Sequence, residues 1–96
     1  MIEKESKPAM KRKKIQFAFH DEDADSVCIP GDFNGWNEKK HVMKRDSRNI
    51  WRKTVMLPPG TYEYRFKVDD RWENDPQNEN VRINCFGTIN NVLEIS

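Results

Sequence analysis

What this chain has little of narrows its function before any motif is considered. Its 96 residues are enough for one hydrophobic core and too few for a complete barrel enzyme. It has two cysteines and two histidines, and no spacing among them completes a four-ligand metal site, so no metal or cofactor is expected. Cys28 and Cys85 both lie among apolar neighbours and are expected as reduced, buried thiols acting as small hydrophobes; a disulfide between them is the alternative that geometry decides. No apolar window suits a signal peptide and no run approaches a membrane span, which predicts a soluble, cytoplasmic protein with no membrane partner. Nowhere does an amphipathic helical pattern occur.

Net charge is also nearly absent, at +1, but it is unevenly placed. Residues 1–14 hold six Lys or Arg against two Glu, leaving eleven basic against fourteen acidic residues in the remainder. The run Lys11-Arg12-Lys13-Lys14 raises a nucleic-acid reading, because clustered cations release counterions from phosphate and bind with steep salt dependence. The surrounding polar stretch with Pro8 favours a solvated tail instead. Residues 1–13 are therefore expected as a flexible basic leader and 14–96 as the folded domain, with no nucleic-acid partner. Apolar residues make up 35% of the chain and charged residues 34%, but ten aromatics argue for a folded domain with a thin core.

Short strands account for most of what is present. Ile15, Phe17 and Phe19 alternate, and Val27 and Ile29 follow after the acids of Asp21–Asp25, which read as a solvated turn because a calcium loop's glycine turn and closing Glu are missing. Gly31, Asp32, Asn34, Gly35 and Asn37 crowd into a tight loop that also holds Phe33 and Trp36, one expected to pack inward and one to face a ligand. Val42–Lys44 reads as a short edge strand, and in Ile50–Leu57 the parity of Trp51, Val55 and Leu57 places Trp51 in the core. Pro58-Pro59-Gly60 must end that ladder. In Thr61–Val68 the residues Tyr62, Tyr64, Phe66 and Val68 face the core while Glu63, Arg65 and Lys67 face solvent. Val81–Ile83 and Asn91–Ile95 complete an all-β, Greek-key β-sandwich of about seven short strands, with a small barrel as the alternative.

Trp36 and Trp72 stand in polar loops among Asp, Asn and Glu. An indole exposed on a rigid sheet suits a flat apolar partner with a polar rim, either a pyranose ring or a nucleic-acid base. Base binders surround their aromatics with cations, whereas the neighbours here are Asp32, Glu38, Asp69, Asp70, Glu73 and Asp75, partly balanced by Lys39, Lys40 and Arg71. An uncharged polyol fits better.

Several motifs recur in order: Gly31-Asp32-Phe33-Asn34-Gly35-Trp36-Asn37, Trp51, Leu57-Pro58-Pro59-Gly60, Tyr62 to Asp69, Trp72, Asp75-Pro76 and Gly87-Thr88-Ile89-Asn90-Asn91. Together they resemble a family 48 carbohydrate-binding module, the glycogen-binding domain of AMP-activated protein kinase β subunits and the N-terminal domain of isoamylases and branching enzymes. The likeness covers about Lys13 to Ser96. It implies an immunoglobulin-like sandwich with one face that holds α-1,4-linked glucan such as glycogen, starch or maltooligosaccharides. By that resemblance Trp36 and Trp72 stack on sugar rings, Arg65 bonds hydroxyls where Lys is usual, Phe86 inserts against the chain, and Thr88 and Asn90 add polar contacts. Asp70 stands where many members have glycine, which predicts strain in a positive-φ turn.

Each indole covering ~50 Å² of apolar sugar at ~25 cal/mol per Å² contributes on the order of 1 kcal/mol, so a Kd of roughly 0.1 to 1 mM is expected for a short oligosaccharide. Branched polymer would bind better through repeated engagement. Two other roles share the fold: an interaction or scaffold module with a protein partner, and an N-terminal accessory domain of a glucan-processing enzyme. Catalysis by this chain itself is not expected, since a carboxylate pair without a cleft or nucleophile motif does not make a glycosidase.

Overall fold

The computed structural model describes residues 11–96. Most of the basic leader read over residues 1–13 lies outside the described residues. Among the described residues nine antiparallel strands form: β1 (Lys13–His20), β2 (Val27–Cys28), β3 (Lys44–Arg45), β4 (Ile50–Leu57), β5 (Gly60–Tyr64), β6 (Phe66–Val68), β7 (Arg71–Glu73), β8 (Val81–Ile83) and β9 (Ile89–Ile95). The only helical element among the described residues is one 3₁₀ turn, Asp32–Asn34, and no helix is long and apolar enough to cross a membrane.

The strands are ordered β1-β4-β3, β2-β6-β7 and β5-β9-β8. Each of these small sheets combines one local hairpin (β3–β4, β6–β7 or β8–β9) with one ladder between strands distant in sequence (β1–β4, β2–β6 or β5–β9). They meet over one core, to which Phe17, Val27, Trp51, Val55, Leu57, Tyr64, Phe66, Val68 and Ile95 contribute, giving an all-β sandwich. Parity explains the core positions: along β4, Trp51, Val55 and Leu57 are buried while Arg52, Thr54 and Met56 are exposed. Trp51 spends its indole N–H on the carbonyl of Asp21 at 3.2 Å, so its burial leaves no orphaned donor.

The count exceeds seven for two reasons. Thr61–Val68 keeps its alternation, with Tyr64, Phe66 and Val68 buried, but its hydrogen bonds change sheets at Arg65. Up to Tyr64 the chain pairs with β9, from Phe66 it pairs with β2 and β7, and at the corner the Arg65 N–H donates to the carbonyl of Pro30. The second addition is β7, which folds back on β6 and carries Trp72 opposite Lys67. The edge strand expected at Val42–Lys44 is displaced to Lys44–Arg45; Val42 makes an isolated bridge to Cys28, and Met43 is buried.

Two expectations are corrected. Cys28 is buried, where desolvation raises its thiol pKa, but Cys85 is exposed, and the two are free thiols. Cys85 sits in the β8–β9 turn, whose inward-directed bonds belong to Asn84 and leave Cys85 and Phe86 outside. The positive-φ residue of the β6–β7 turn is Asp69 (φ 53°), not Asp70. Its short carboxylate accepts the N–H groups of Asp25 and Ser26 at 3.0 Å each, which compensates for the left-handed backbone.

The acids of Asp21–Asp25 serve as a turn. Asp21 Oδ1 accepts from the N–H of Asp23 and Ala24 at 2.8 Å each, and its other oxygen takes an Arg71 N–H at 2.9 Å. The backbone bond from Asp23 leads the causes that lower its pKa. Among the described residues no group of three or more His, Cys, Asp or Glu is arranged to hold a metal ion.

Candidate functional site

One face of the sandwich carries an open hollow of about 480 Å³ lined by Asp32, Trp36, Glu63, Arg65, Trp72, Asn84, Phe86, Thr88 and Asn90. All six residues singled out in the sequence are among them. They come from four places: the loop after β2, the corner between β5 and β6, strand β7, and the β8–β9 hairpin.

Trp36 reaches the hollow because its loop is sharply folded. Gly31 permits this by close approach, since a Cβ there would lie 2.8 Å from the Glu63 carbonyl oxygen and from the Tyr64 Cβ. Gly35 (φ 66°) and then Trp36 itself (φ 60°) are left-handed, which for a bulky residue costs about 1–3 kcal/mol. That conformation is held by the Trp36 N–H donating to the Gly31 carbonyl at 2.9 Å and by the indole N–H donating to Asp32 Oδ1 at 3.0 Å. The second Asp32 oxygen accepts the Glu63 N–H at 2.8 Å, tying the loop to β5. Phe33 turns inward, edge-on to Tyr62 and against the core, so the two aromatics of this loop divide between the core and the hollow.

Trp72 is 38% exposed and lies 6.4 Å from Trp36 between ring centroids, with the rings inclined at 61°. Two cations pack on it: the Arg65 guanidinium at 5.2 Å and the Lys67 ammonium at 4.6 Å from the ring centroid. Lys67 is also paired with Glu38 at 3.2 Å. Arg65 is thus partly buried against an indole rather than free on the solvent side, and its Nε is buried with no hydrogen-bond partner. The loop beyond Trp72 is anchored by buried Asn91, whose Oδ1 accepts the Asp75 N–H at 2.7 Å and whose Nδ2 donates to the Asn78 carbonyl at 2.8 Å. Tyr64 adds its hydroxyl to Asp75 at 2.7 Å, and burial raises the pKa of that phenol.

Phe86 stands at the hairpin tip, 86% exposed. Thr88 and Asn90 follow on the inner side, where Thr88 Oγ1 accepts from Asn84 Nδ2 at 2.7 Å and the nearly buried Asn90 donates Nδ2 to Glu63 Oε1 at 3.0 Å. Arg82 holds the other Glu63 oxygen at 2.9 Å.

A sequence profile for the glycogen recognition site of AMP-activated protein kinase matches residues 14–96. The chain belongs to this family. It is 39% identical over 69 residues to the 5'-AMP-activated protein kinase subunit beta-2 of Homo sapiens, a stretch covering 72% of this chain and 24% of that protein. Over 92 residues it is 32% identical to Protein FLOURY ENDOSPERM 6, chloroplastic, of Oryza sativa subsp. japonica, covering 96% of this chain and 17% of that protein. The Sus scrofa subunit beta-1 is 36% identical over 69 residues, 53% of its own length. The chain therefore spans only part of the curated relatives it matches.

This member of the glycogen recognition family has three hollow-lining residues that the sequence did not bring forward as site residues: Asp32, Glu63 and Asn84. Glu63 shares the strand parity of Arg65 and could have been found from it. Asp32 and Asn84 carry no periodic signal: Asp32 bonds the distant Glu63 N–H, which only the fold brings near, and Asn84 sits in a turn, where its bonds stay within its own hairpin.

Proposed function

We propose that this domain binds α-1,4-linked glucan without catalysing its conversion, with Trp36 and Trp72 stacking on sugar rings, Phe86 closing over the chain, and Arg65, Thr88 and Asn90 meeting hydroxyls. The inclined contact of the two indoles carries this reading. The rings meet edge to face at 61° and line one hollow, so their apolar surfaces are inclined rather than coplanar, which suits a chain whose successive α-linked rings curve better than a flat ribbon. Membership of the glycogen recognition family supports the same ligand class.

The polar rim supports an uncharged ligand. Lys67 and Arg82 are each already paired with a carboxylate, and among the described residues the one cation lining the hollow, Arg65, is outnumbered there by Asp32 and Glu63, which disfavours phosphate. The two carboxylates of the hollow, Asp32 and Glu63, are likewise occupied by four structural hydrogen bonds, which supports binding without hydrolysis. A protein partner in addition to glucan belongs to the same proposal, since the mammalian relatives are named as kinase subunits. So does a cytoplasmic setting, with the rice relative's chloroplastic name marking the competing compartment.

The test is a titration with maltoheptaose followed by indole NMR shifts and tryptophan fluorescence. Saturable shifts of both Trp36 and Trp72 with a Kd of roughly 0.1 to 1 mM are expected. Shifts confined to other faces would move the site, and release of reducing sugar from amylose would make the domain an enzyme.

A further inference from the structure

Beside Asp32, a second side chain braces the loop that carries Trp36. Asn34 Oδ1 accepts the N–H of Gly31 at 3.1 Å and of Asn37 at 3.2 Å, while Nδ2 donates to the Ile29 carbonyl at 2.8 Å. These three bonds decide which end of the amide is oxygen, because a flipped amide would set its NH₂ against two N–H donors. The remaining Nδ2 hydrogen is directed at Nδ1 of His41, 2.8 Å away. Nδ1 is therefore an acceptor, and the imidazole is neutral with its proton on Nε2. His41 is itself left-handed (φ 52°) and stands edge-on to Phe33, with centroids 5.5 Å apart.

We propose that His41 is a positioning residue for the glucan platform: its neutral ring completes the bonding of Asn34 and so holds Trp36 in place, and a proton on Nδ1 releases it. The choice of glucan as reporter rests on the reading above; the hydrogen-bond argument does not. With Nδ1 protonated, two N–H donors face each other, and Asn34 cannot turn away without abandoning Gly31, Asn37 and Ile29.

The surroundings favour the neutral ring. Burial comes first among the causes that lower the His41 pKa from its ordinary 6.5, followed by Lys53 on β4 and Lys40 in its own loop. Asn34 and Phe33, which touch the ring, are uncharged. As the pH falls, the unfolded chain takes up this proton before the folded one does. The stability linked to His41 is then complete above 6.5 and lost as the pH drops from there toward the lowered folded value.

Two measurements test this. In a labelled chain, the Trp36 indole N–H and the Asn34 side-chain amide should titrate with the same midpoint as the His41 ring, below 6.5. Maltoheptaose affinity should fall about tenfold between about pH 7.5 and about pH 5, the effect of one lost hydrogen bond. His41→Asn puts an amide oxygen near the position of Nδ1 on a residue suited to left-handed backbone, and should flatten this profile. His41→Leu offers no acceptor and should weaken binding at both pH values, whereas His20→Gln should retain the wild-type profile. A pH-independent wild type, or an undiminished fall in His41→Asn, overturns the proposal. If His41→Leu does not fold, the indole and amide titrations of the wild type decide alone. Absence of maltoheptaose binding near pH 7.5 would refute the glucan reading and leave those titrations to judge His41.

Discussion

The two turns that bring aromatics to the hollow are built alike and anchored differently. In the loop of Trp36, the Asn34 amide gathers two backbone N–H groups and then reaches out to Ile29 and His41. In the turn of Phe86, the Asn84 Oδ1 likewise gathers the N–H groups of Phe86 and Thr88, at 2.9 and 3.1 Å, but its Nδ2 goes to Thr88 of the same hairpin. One asparagine ties its loop to the core, and the other closes its hairpin on itself. The same chemistry thus yields a fixed platform at Trp36 and a projecting side chain at Phe86, because only the first bond network includes groups that belong to the interior.

The contrast can be broken from either side, and the platform should give the larger effects. Trp36→Ala and Trp72→Ala are each expected to abolish retention on glycogen or amylose, a loss of about fivefold for a short oligosaccharide that repeated engagement of polymer enlarges, since each removes one of two stacking surfaces. Affinity electrophoresis checks this, with unchanged thermal unfolding as the control for folding. Asn34→Ala should lower stability by about 1–3 kcal/mol through its orphaned buried partners and weaken glucan binding with it, measurable by urea unfolding and titration of the same sample. By the same measurements Asn84→Ala should cost less than about 1 kcal/mol and reduce affinity only a few-fold, because water can reach the groups it leaves. Equal losses from Asn34→Ala and Asn84→Ala would erase the distinction.

A third turn sharpens it. Before β4, Asp46 accepts the N–H groups of Arg48 and Ile50 and the Arg52 Nε–H at 3.0 Å. The Arg52 bond, with the two backbone bonds behind it, depresses its pKa from 3.8 to about 2. Its contribution is present above 3.8 and lost as the pH falls toward about 2, a window in which neither asparagine titrates. Acid titration by NMR should move the Arg48 and Ile50 amides together and leave the Gly31 and Phe86 amides out of that transition.

Much of the fold was readable because strand parity depends on neighbours in the chain. The alternation of Tyr64, Phe66 and Val68, and of Trp51, Val55 and Leu57, predicted buried side chains, while Tyr62 at the head of the first run is only partly buried against them. It could not show that the former run serves two sheets, because side-chain parity passes through Arg65 while the hydrogen-bond partner changes there. Of the candidate site, the aromatics were visible as large apolar residues in polar loops. The bonds that hold the site together were not: Asp32 bonds β5 across 31 positions, and Asn90, itself named from the resemblance, bonds Glu63 across 27.

The sequence alone determined that this chain would be an all-β domain with a tryptophan-bearing face, because alternation, turn residues and aromatic placement act over a few residues at a time. Tertiary structure decided the rest: the 61° meeting of the indoles, the left-handed backbone at Asp69 instead of Asp70, the exposure of Cys85, and the His41–Asn34 bond. Each depends on distances between segments that no local pattern encodes.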